Sequence, residues 1–406
     1  MLVCLSARIL GTEKHLVYDN ALEEFTWSED LPDNAWIFGE EKALRSVEVV
    51  MSFLGKDCPT LFSKNQSKAY QLLGSYIEEI PWHLVLPKKQ FHEQVASFLR
   101  QLVGLINDFK KEKYSEIFID ERGFLLNLVG AQIDYQKYQG YFKAEKNATL
   151  LKCLKSFCPE KSGAALSVLY HQNATSTGRL TVKTGPQILT LSRHYKDIIK
   201  SRNEQGEIWQ IDFVSLEPHV ARRCAGLSSG RDIYADIAQD LFQSKLERKQ
   251  VKMAVLCALY GISPGRLSTM LGKGMHATSV IKKIKHYFNV ADTLRMLKKQ
   301  FRNEECIRNF FNRKLCIKRP DNNVLISHYV QSTACDVALL GFKQLIEKSL
   351  KDELEVDPLF VIHDAMIVDV PGKSMKAFRS IIGEGVELDG LGIFPLDIEV
   401  ISTLNA

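Results

Sequence analysis

Apolar residues in this chain recur at two periods, and the change from one to the other marks its elements. Between Phe91 and Lys110, residues Val95, Phe98, Leu99, Leu102, Leu105 and Ile106 line one stripe, the spacing of an amphipathic helix. Leu44, Val47, Val50, Met51 and Leu54 repeat that spacing and predict a helix over 41–54. A further helical stretch is expected around 125–135, leading into a Lys-rich segment near 143–161. Asp232 through Lys252 and beyond is predicted helical, stopped by Tyr260-Gly261 and Pro264-Gly265. Residues 277–302 are again helical and basic. Pro81 and Pro87 bracket a break. Strand signals are short and scattered: 15–18, 35–38, the run Glu207 to Phe213, and 394–401. Two more apolar runs, 359–362 and 366–370, flank His363-Asp364 as a tight hairpin tip. The predicted class is therefore α+β, with a small antiparallel sheet assembled from distant segments.

Composition narrows the classes. In 406 residues, apolar types make up 45% and charged types 25%, the proportions of an ordinary globular chain rather than a disordered or fibrous one. No uncharged apolar run approaches the roughly 18 residues that would span a bilayer. Met1 to Leu10 lacks a basic region followed by a long apolar core, so a cytoplasmic location is expected. The nine cysteines are scattered, and the closest pair, Cys153 and Cys158, has no second pair at zinc spacing; free thiols are expected. Charge changes the picture more. Residues 245–320 hold 18 Lys and Arg against four acids, a net +14 in a chain whose total is +5. The rest of the chain therefore sums to −9, a segregation that fits a polyanion partner. A solvated lysine-rich helical face gives the same count.

Two aspartates carry candidate chemistry. Asp212 ends the apolar strand Ile208-Trp-Gln-Ile211, and Asp364 sits at the hairpin tip. Carboxylates at the ends of neighbouring strands supply the anionic oxygens that two Mg²⁺ ions need to activate one oxygen and stabilise another in phosphoryl transfer. Each aspartate alone is equally an ordinary turn residue. Arg248, Lys252, Leu256 and Tyr260 fall at four-residue steps along one helical face. Two cations one turn apart suit a triphosphate and the terminal aromatic suits a base or sugar, although surface lysine over a Leu/Tyr core yields the same pattern.

In this order the blocks resemble the family A DNA polymerases, the bacterial DNA polymerase I type. Asp212-Phe-Val-Ser-Leu-Glu217 resembles motif A, D-Y/F-S-Q-I/L-E. Arg248-Lys-Gln-Val-Lys252 through Tyr260-Gly261 resembles motif B, and Val361-Ile-His363-Asp364 resembles motif C, V-H-D-E. Smaller matches are Thr175-Ser-Thr-Gly-Arg179-Leu180, Gly230-Arg-Asp-Ile-Tyr234, Gln331-Ser-Thr-Ala-Cys-Asp336 and Phe394-Pro-Leu-Asp-Ile-Glu399-Val. Together they span about 170–406.

The resemblance implies a right-hand polymerase with an antiparallel palm, helical fingers and a helical thumb. It implies primer–template DNA and dNTPs as partners, with two Mg²⁺ ions held by Asp212, Asp364 and the carbonyl of Phe213. Arg248 and Lys252 would hold the incoming triphosphate, and Lys252 would protonate the leaving pyrophosphate. Tyr260 would pack where the new base pair forms. Glu217 would act as a steric gate, filling the space of a ribose 2′-OH. Arg179 and Gln331 would read minor-groove acceptors, His363 would lie near the primer terminus, and Gln187 would keep one amide contact. The departures are Leu256 for an aromatic, Ala365 for an acid, and Tyr234 for a phosphate-contacting histidine. Val214, Pro218 and His219 also depart from motif A. Activity with altered fidelity or sugar selection is expected.

The implied organisation is an N-terminal cap or remnant at 1–85, thumb at 86–170, palm at 171–229, fingers at 230–325 and palm again at 326–406. Residues 1–150 contain no D-x-E, the signature with which this family's proofreading exonuclease begins, so no proofreading is expected. A monomer without membrane association is expected, of phage, plasmid or accessory bacterial type, with a processivity factor or separate exonuclease left open. Two alternatives stand beside this reading. A single-subunit RNA polymerase shares the aspartates, the Lys and the Tyr, but has a small residue where Glu217 stands. A degenerate primer–template binder would account for Ala365 and Leu256, but has no need of both aspartates.

Overall fold

The structure is a computed structural model that describes residues 1–59, 61–76, 80–85, 88–271 and 275–403. The chain divides into two compact units, Met1–Leu126 and Asn127–Ala406.

In the first unit, strands β1 (Leu2–Leu5), β2 (His15–Asp19), β3 (Glu24–Ser28) and β4 (Trp36–Phe38) form one sheet in the order β3-β2-β1-β4. β1 pairs antiparallel with β2 and parallel with β4. Its helices are α1 (Ala7–Leu10), α2 (Val47–Leu54), α3 (Lys64–Leu72), α4 (Trp82–Val85), α5 (Lys88–Lys111) and α6 (Ser115–Leu126). α5 buries the predicted stripe: Val95, Phe98, Leu99, Leu102 and Ile106 are all sequestered. α5, assigned to the thumb from sequence, packs inside this unit on α2 and β1. The helix expected over 41–54 begins only at Val47. The carbonyls of Glu41, Ala43 and Leu44, which a helix would offer to its own amides, instead accept from the buried Arg122 guanidinium.

The second unit begins with an overturned expectation. Residues 127–134 are extended rather than helical: Ala165 N donates to Ala131 O, Ile133 N to Gly163 O and Asp134 N to Ile198 O. A Cβ on Gly130 would lie 2.3 Å from the carbonyl oxygen of Ala165, so this close pass suits glycine alone. Then come α7 (Tyr135–Ala144), α8 (Ala148–Lys155), β5 (Leu169–His171), β6 (Thr181–Thr184) and β7 (Glu207–Phe213), the last as predicted. The helical section comprises α9 (Leu216–Cys224), α10 (Ile233–Phe242), α11 (Arg248–Tyr260), α12 (Pro264–Leu271), α13 (Ala277–Tyr287) and α14 (Val290–Glu304). The single helix expected from Asp232 past Lys252 is two, because Gln243 and Ser244 turn left-handed and close α10, and Glu247 with Gln250 caps α11. Asn289, also left-handed, likewise divides 277–302.

The short pair β8 (Ile307–Arg308) and β9 (Lys314–Leu315) leads into α15 (Asn322–Lys351), whose first amides are capped by Asp321. β10 (Asp357–Ile362), β11 (Ala365–Val370), α16 (Met375–Glu384), β12 (Val386–Leu388), β13 (Gly392–Phe394) and β14 (Leu396–Thr403) complete the unit. The expected strand over 394–401 is interrupted by Pro395, which separates β13 from β14.

The central sheet is antiparallel, in the order β10-β11-β7-β14. Alternation along β7 sends Trp209, Ile211 and Phe213 to one face. There Trp209 stacks on Phe378 of α16, and Phe213 packs on Phe342 of α15 and on Phe394. Gln210 and Asp212 take the other face, half-buried. Burial of one face thus fixes the register that presents the aspartate on the other. All nine cysteines are free. No helix among the described residues is long and apolar enough to cross a membrane.

Candidate active site

The sheet brings the two aspartates together. Asp212 lies opposite Ala365 on β11 and Asp397 on β14, so Asp364 is one residue from its cross-strand partner. Phe213 N donates to Asp364 O at 3.0 Å, tying the end of β7 to the hairpin tip. His363 takes a left-handed backbone (φ 55°) in that two-residue tip. Gln210 Nε2 donates to Asp212 Oδ2 at 2.8 Å, and Lys196 Nζ donates to Gln210 Oε1 at 2.7 Å. Burial pushes the Asp212 carboxyl above its ordinary range; the Gln210 bond opposes this, and the charge of Asp364 adds to it. The site thus holds more negative charge than its own partners relieve, which is the condition a bound cation corrects.

The donor set fits a hard divalent ion. Asp212 and Asp364 offer carboxylate oxygens, and the buried Phe213 ring anchors the main chain whose carbonyl follows Asp212. No group of three or more His, Cys, Asp or Glu side chains able to hold a metal occurs among the described residues. Two carboxylates leave most of an octahedral shell to water and phosphate, the habit of Mg²⁺.

Beside the aspartates, Arg179, Glu217, Gln331, His363 and Asp364 line a cavity of about 230 Å³. Glu217, in the first turn of α9, is held from two sides. Arg179 Nη2 donates to its Oε1 at 2.8 Å, and the Tyr260 hydroxyl donates to its Oε2. Burial, and then the Glu217 charge, hold the Tyr260 hydroxyl above its ordinary value. Burial and neighbouring Arg179 lower the His363 imidazole, against the charges of Asp364 and Glu217.

α11 presents its predicted face. Arg248 Nε donates to Asp232 Oδ2 at 3.2 Å, and its guanidinium lies 5.1 Å from the Tyr234 ring centroid. Asp232 also caps α10 by accepting from the Tyr234 and Ala235 amides. The Tyr234 hydroxyl is pushed up to about 12, by burial first and then by Glu217 and Asp232, against Ser215 and Arg248. Lys252 is exposed and forms no ion pair among the described residues, and Leu256 is half-buried. Gln187 stands apart. It precedes the short helix Ile188–Thr190, its backbone N–H donates to Ser156 Oγ at 2.8 Å, and it does not line the cavity.

Sequence reasoning missed several partners. Gln210 was detectable, being polar two positions before Asp212 in a strand whose period is two. Lys196 was not, because it comes from a separate short helix. Arg313 immediately precedes β9, is 4% exposed, and bonds Asp336 of α15, which is fully buried, at 3.0 Å. Asn309 Nδ2 donates to the other Asp336 oxygen at 2.6 Å. Arg313 also braces the turn before Arg179: a Cβ on Gly178, whose φ is +78°, would lie 1.9 Å from Arg313 Nη1.

The family model for DNA polymerase family A matches residues 90–401. No curated protein matches the sequence. One similar solved structure is titled "POL domain of Pol1 from M. smegmatis complex with DNA primer-template and dNTP". The likeness covers 98% of this chain and 95% of that one, with a TM-score of 0.65 and 11% identity, and at that identity it is one of fold.

Proposed function

The chain belongs to DNA polymerase family A, and from that membership we propose that it extends a primer 3′-OH along a DNA template with dNTPs, using two Mg²⁺ ions and no proofreading of its own. The observation that carries the mechanism is the juxtaposition of Asp212 and Asp364 on the open face of the sheet, next to the cavity that contains Glu217. Asp212, Asp364 and the Phe213 carbonyl would hold the metals. Bound there, Mg²⁺ would lower the pKa of the attacking hydroxyl and neutralise charge on the phosphates. The 3′ oxygen bonds to the α-phosphorus, the bond from that phosphorus to pyrophosphate breaks, and the 3′ proton is released. Arg248 holds the outgoing phosphates, and the exposed Lys252 supplies the proton that pyrophosphate takes up. Tyr260 and Arg179 hold Glu217 in the cavity, where its carboxylate fills the space of a 2′-OH. Gln331 and Arg179 donate to the minor groove of the terminal pair; to do so Arg179 exchanges its bond to Glu217 for one to DNA.

In this reading 171–229 and 326–406 form the palm, 230–325 the basic fingers, and the helices of 86–170 the thumb. The absence of a D-x-E from residues 1–150 supports the lack of an exonuclease. Glu217 favours a DNA over an RNA polymerase, since a carboxylate held by two donors leaves little room for a ribose hydroxyl.

The test is extension of a labelled primer–template with Mg²⁺, comparing dNTPs with NTPs, beside Asp364→Ala. Extension with dNTPs alone, lost in the variant, is the expected result. Extension with NTPs at equal rates would overturn the gate, and a folded protein that binds the duplex without extending it would overturn the enzyme.

A further inference from the structure

The metal-facing side of β7 carries a polar chain that the family motifs do not contain. Resting on the metal role given above to Asp212, we propose that Lys196 and Gln210 form a relay that fixes the Asp212 carboxylate, with Gln210 the positioning residue for its metal-binding oxygens.

The argument starts from strand geometry. Gln210 and Asp212 are two residues apart on one face of β7, about 7 Å along the strand, within reach of an extended carboxamide. Their cross-strand neighbours are otherwise engaged or inert. Opposite Asp212 stand Ala365, which offers no polar group, and Asp397, whose carboxylate takes Arg231 Nη2 at 2.8 Å. Opposite Gln210 stand Ile367 and Glu399, the latter ion-paired with Arg193. Gln210 is therefore the one side chain hydrogen-bonded to Asp212 among the described residues.

Chemistry sets the direction of the relay. An ammonium can only donate, so Lys196 Nζ, 2.7 Å away, requires the carboxamide oxygen to face it. The carboxamide NH₂ must then face Asp212 Oδ2, 2.8 Å away. Lys196 thus decides the amide orientation that would otherwise be free to flip. The arrangement fastens one carboxylate oxygen and leaves Oδ1 for a cation. A lysine bonded to Asp212 directly would place a positive charge where the metal belongs. The interposed amide transmits its polarity while keeping the charge one side chain away.

The test is a Mn²⁺ titration followed by electron paramagnetic resonance. It uses the full chain with a dideoxy-terminated primer–template and the matching dNTP, so that no turnover occurs. Gln210→Ala and Lys196→Met are each expected to weaken Mn²⁺ binding about tenfold, with primer–template affinity and melting temperature unchanged. Lys196→Arg, still a donor, should bind within twofold of wild type. The double variant should be no weaker than Gln210→Ala, because both act through one bond. Single variants that match wild type, or losses that add in the double variant, would overturn the relay. Asp212→Ala separates the two ideas. If it binds Mn²⁺ as well as wild type, the metal role of Asp212 itself falls; if it alone loses binding, that role stands and only the relay falls.

Discussion

Tyr260→Phe isolates one of the two bonds that hold Glu217. The ring, half-buried at the end of α11, keeps its packing, and only the hydroxyl that donates to Glu217 Oε2 is lost. A hydrogen bond to a charged group contributes about 1.5–3 kcal/mol. The Glu217 side chain is 26% exposed, so water partly replaces the lost donor and the lower part of the range applies. A cost of about 1–2 kcal/mol corresponds to roughly five- to thirtyfold. With Arg179 turned to DNA in the working complex, Tyr260 is the remaining donor of the two, and its loss releases Glu217 from the space that the proposed gate denies to a 2′-OH. The assay is single-turnover incorporation of one dNTP and its ribonucleotide opposite the same template base. Discrimination should fall five- to thirtyfold through a gain in kcat/KM for the ribonucleotide, with the deoxynucleotide changed less than twofold. An unchanged ratio in a variant of unchanged stability would refute the claim that Tyr260 sets the position of Glu217.

His219 is fully buried on α9, with Nδ1 2.8 Å from Ser229 Oγ, and burial followed by nearby Arg223 lowers its imidazole to about 4. Because the folded value lies below the unfolded one, stability is intact above about pH 6.5 and falls by about 3 kcal/mol as pH drops to 4. Urea midpoints across that window should show the fall in wild type and a shallower one in His219→Gln; equal slopes would dismiss the histidine as the cause. Arg313→Met strands the buried Asp336 carboxylate without its cation, at a cost of about 3–5 kcal/mol. Calorimetry should register a melting temperature lower by roughly 10 °C, and a change of under 2 °C would show that the pair contributes little.

How much of this was legible in the sequence depended on whether each determinant was local. β7 was readable because apolar and polar positions alternate from Trp209 through Gln210, Ile211 and Asp212 to Phe213, where the strand ends. The face of α11 was readable because four-residue spacing places Arg248 and Tyr260 on one side whatever surrounds them. The helix at 41–54 was misjudged because its first carbonyls are claimed by Arg122, a residue nearly 80 positions away. The extended course of 127–134 was hidden for the same reason, its amides and carbonyls being satisfied by 163–165 and 198. In the site, Asp212 and Glu217 were found as parts of contiguous patterns. Lys196 and Arg313 were missed because their importance arises only when distant segments meet.

The order β10-β11-β7-β14 has a consequence for synthesis. β7 is flanked on both sides by strands made more than 150 residues after it, since Asp212 pairs with Ala365 and with Asp397. At roughly 5–20 residues per second, a nascent chain waits about ten to forty seconds between exposing β7 and completing its neighbours. Before that interval ends the basic helices α11 to α14 are made, whereas Asp212 still has neither its cross-strand partners nor Asp364 beside it. An unfinished chain therefore presents its basic helices before Asp212 and Asp364 can come together, and truncation anywhere before β14 leaves both edges or one edge of β7 open to pairing with another chain.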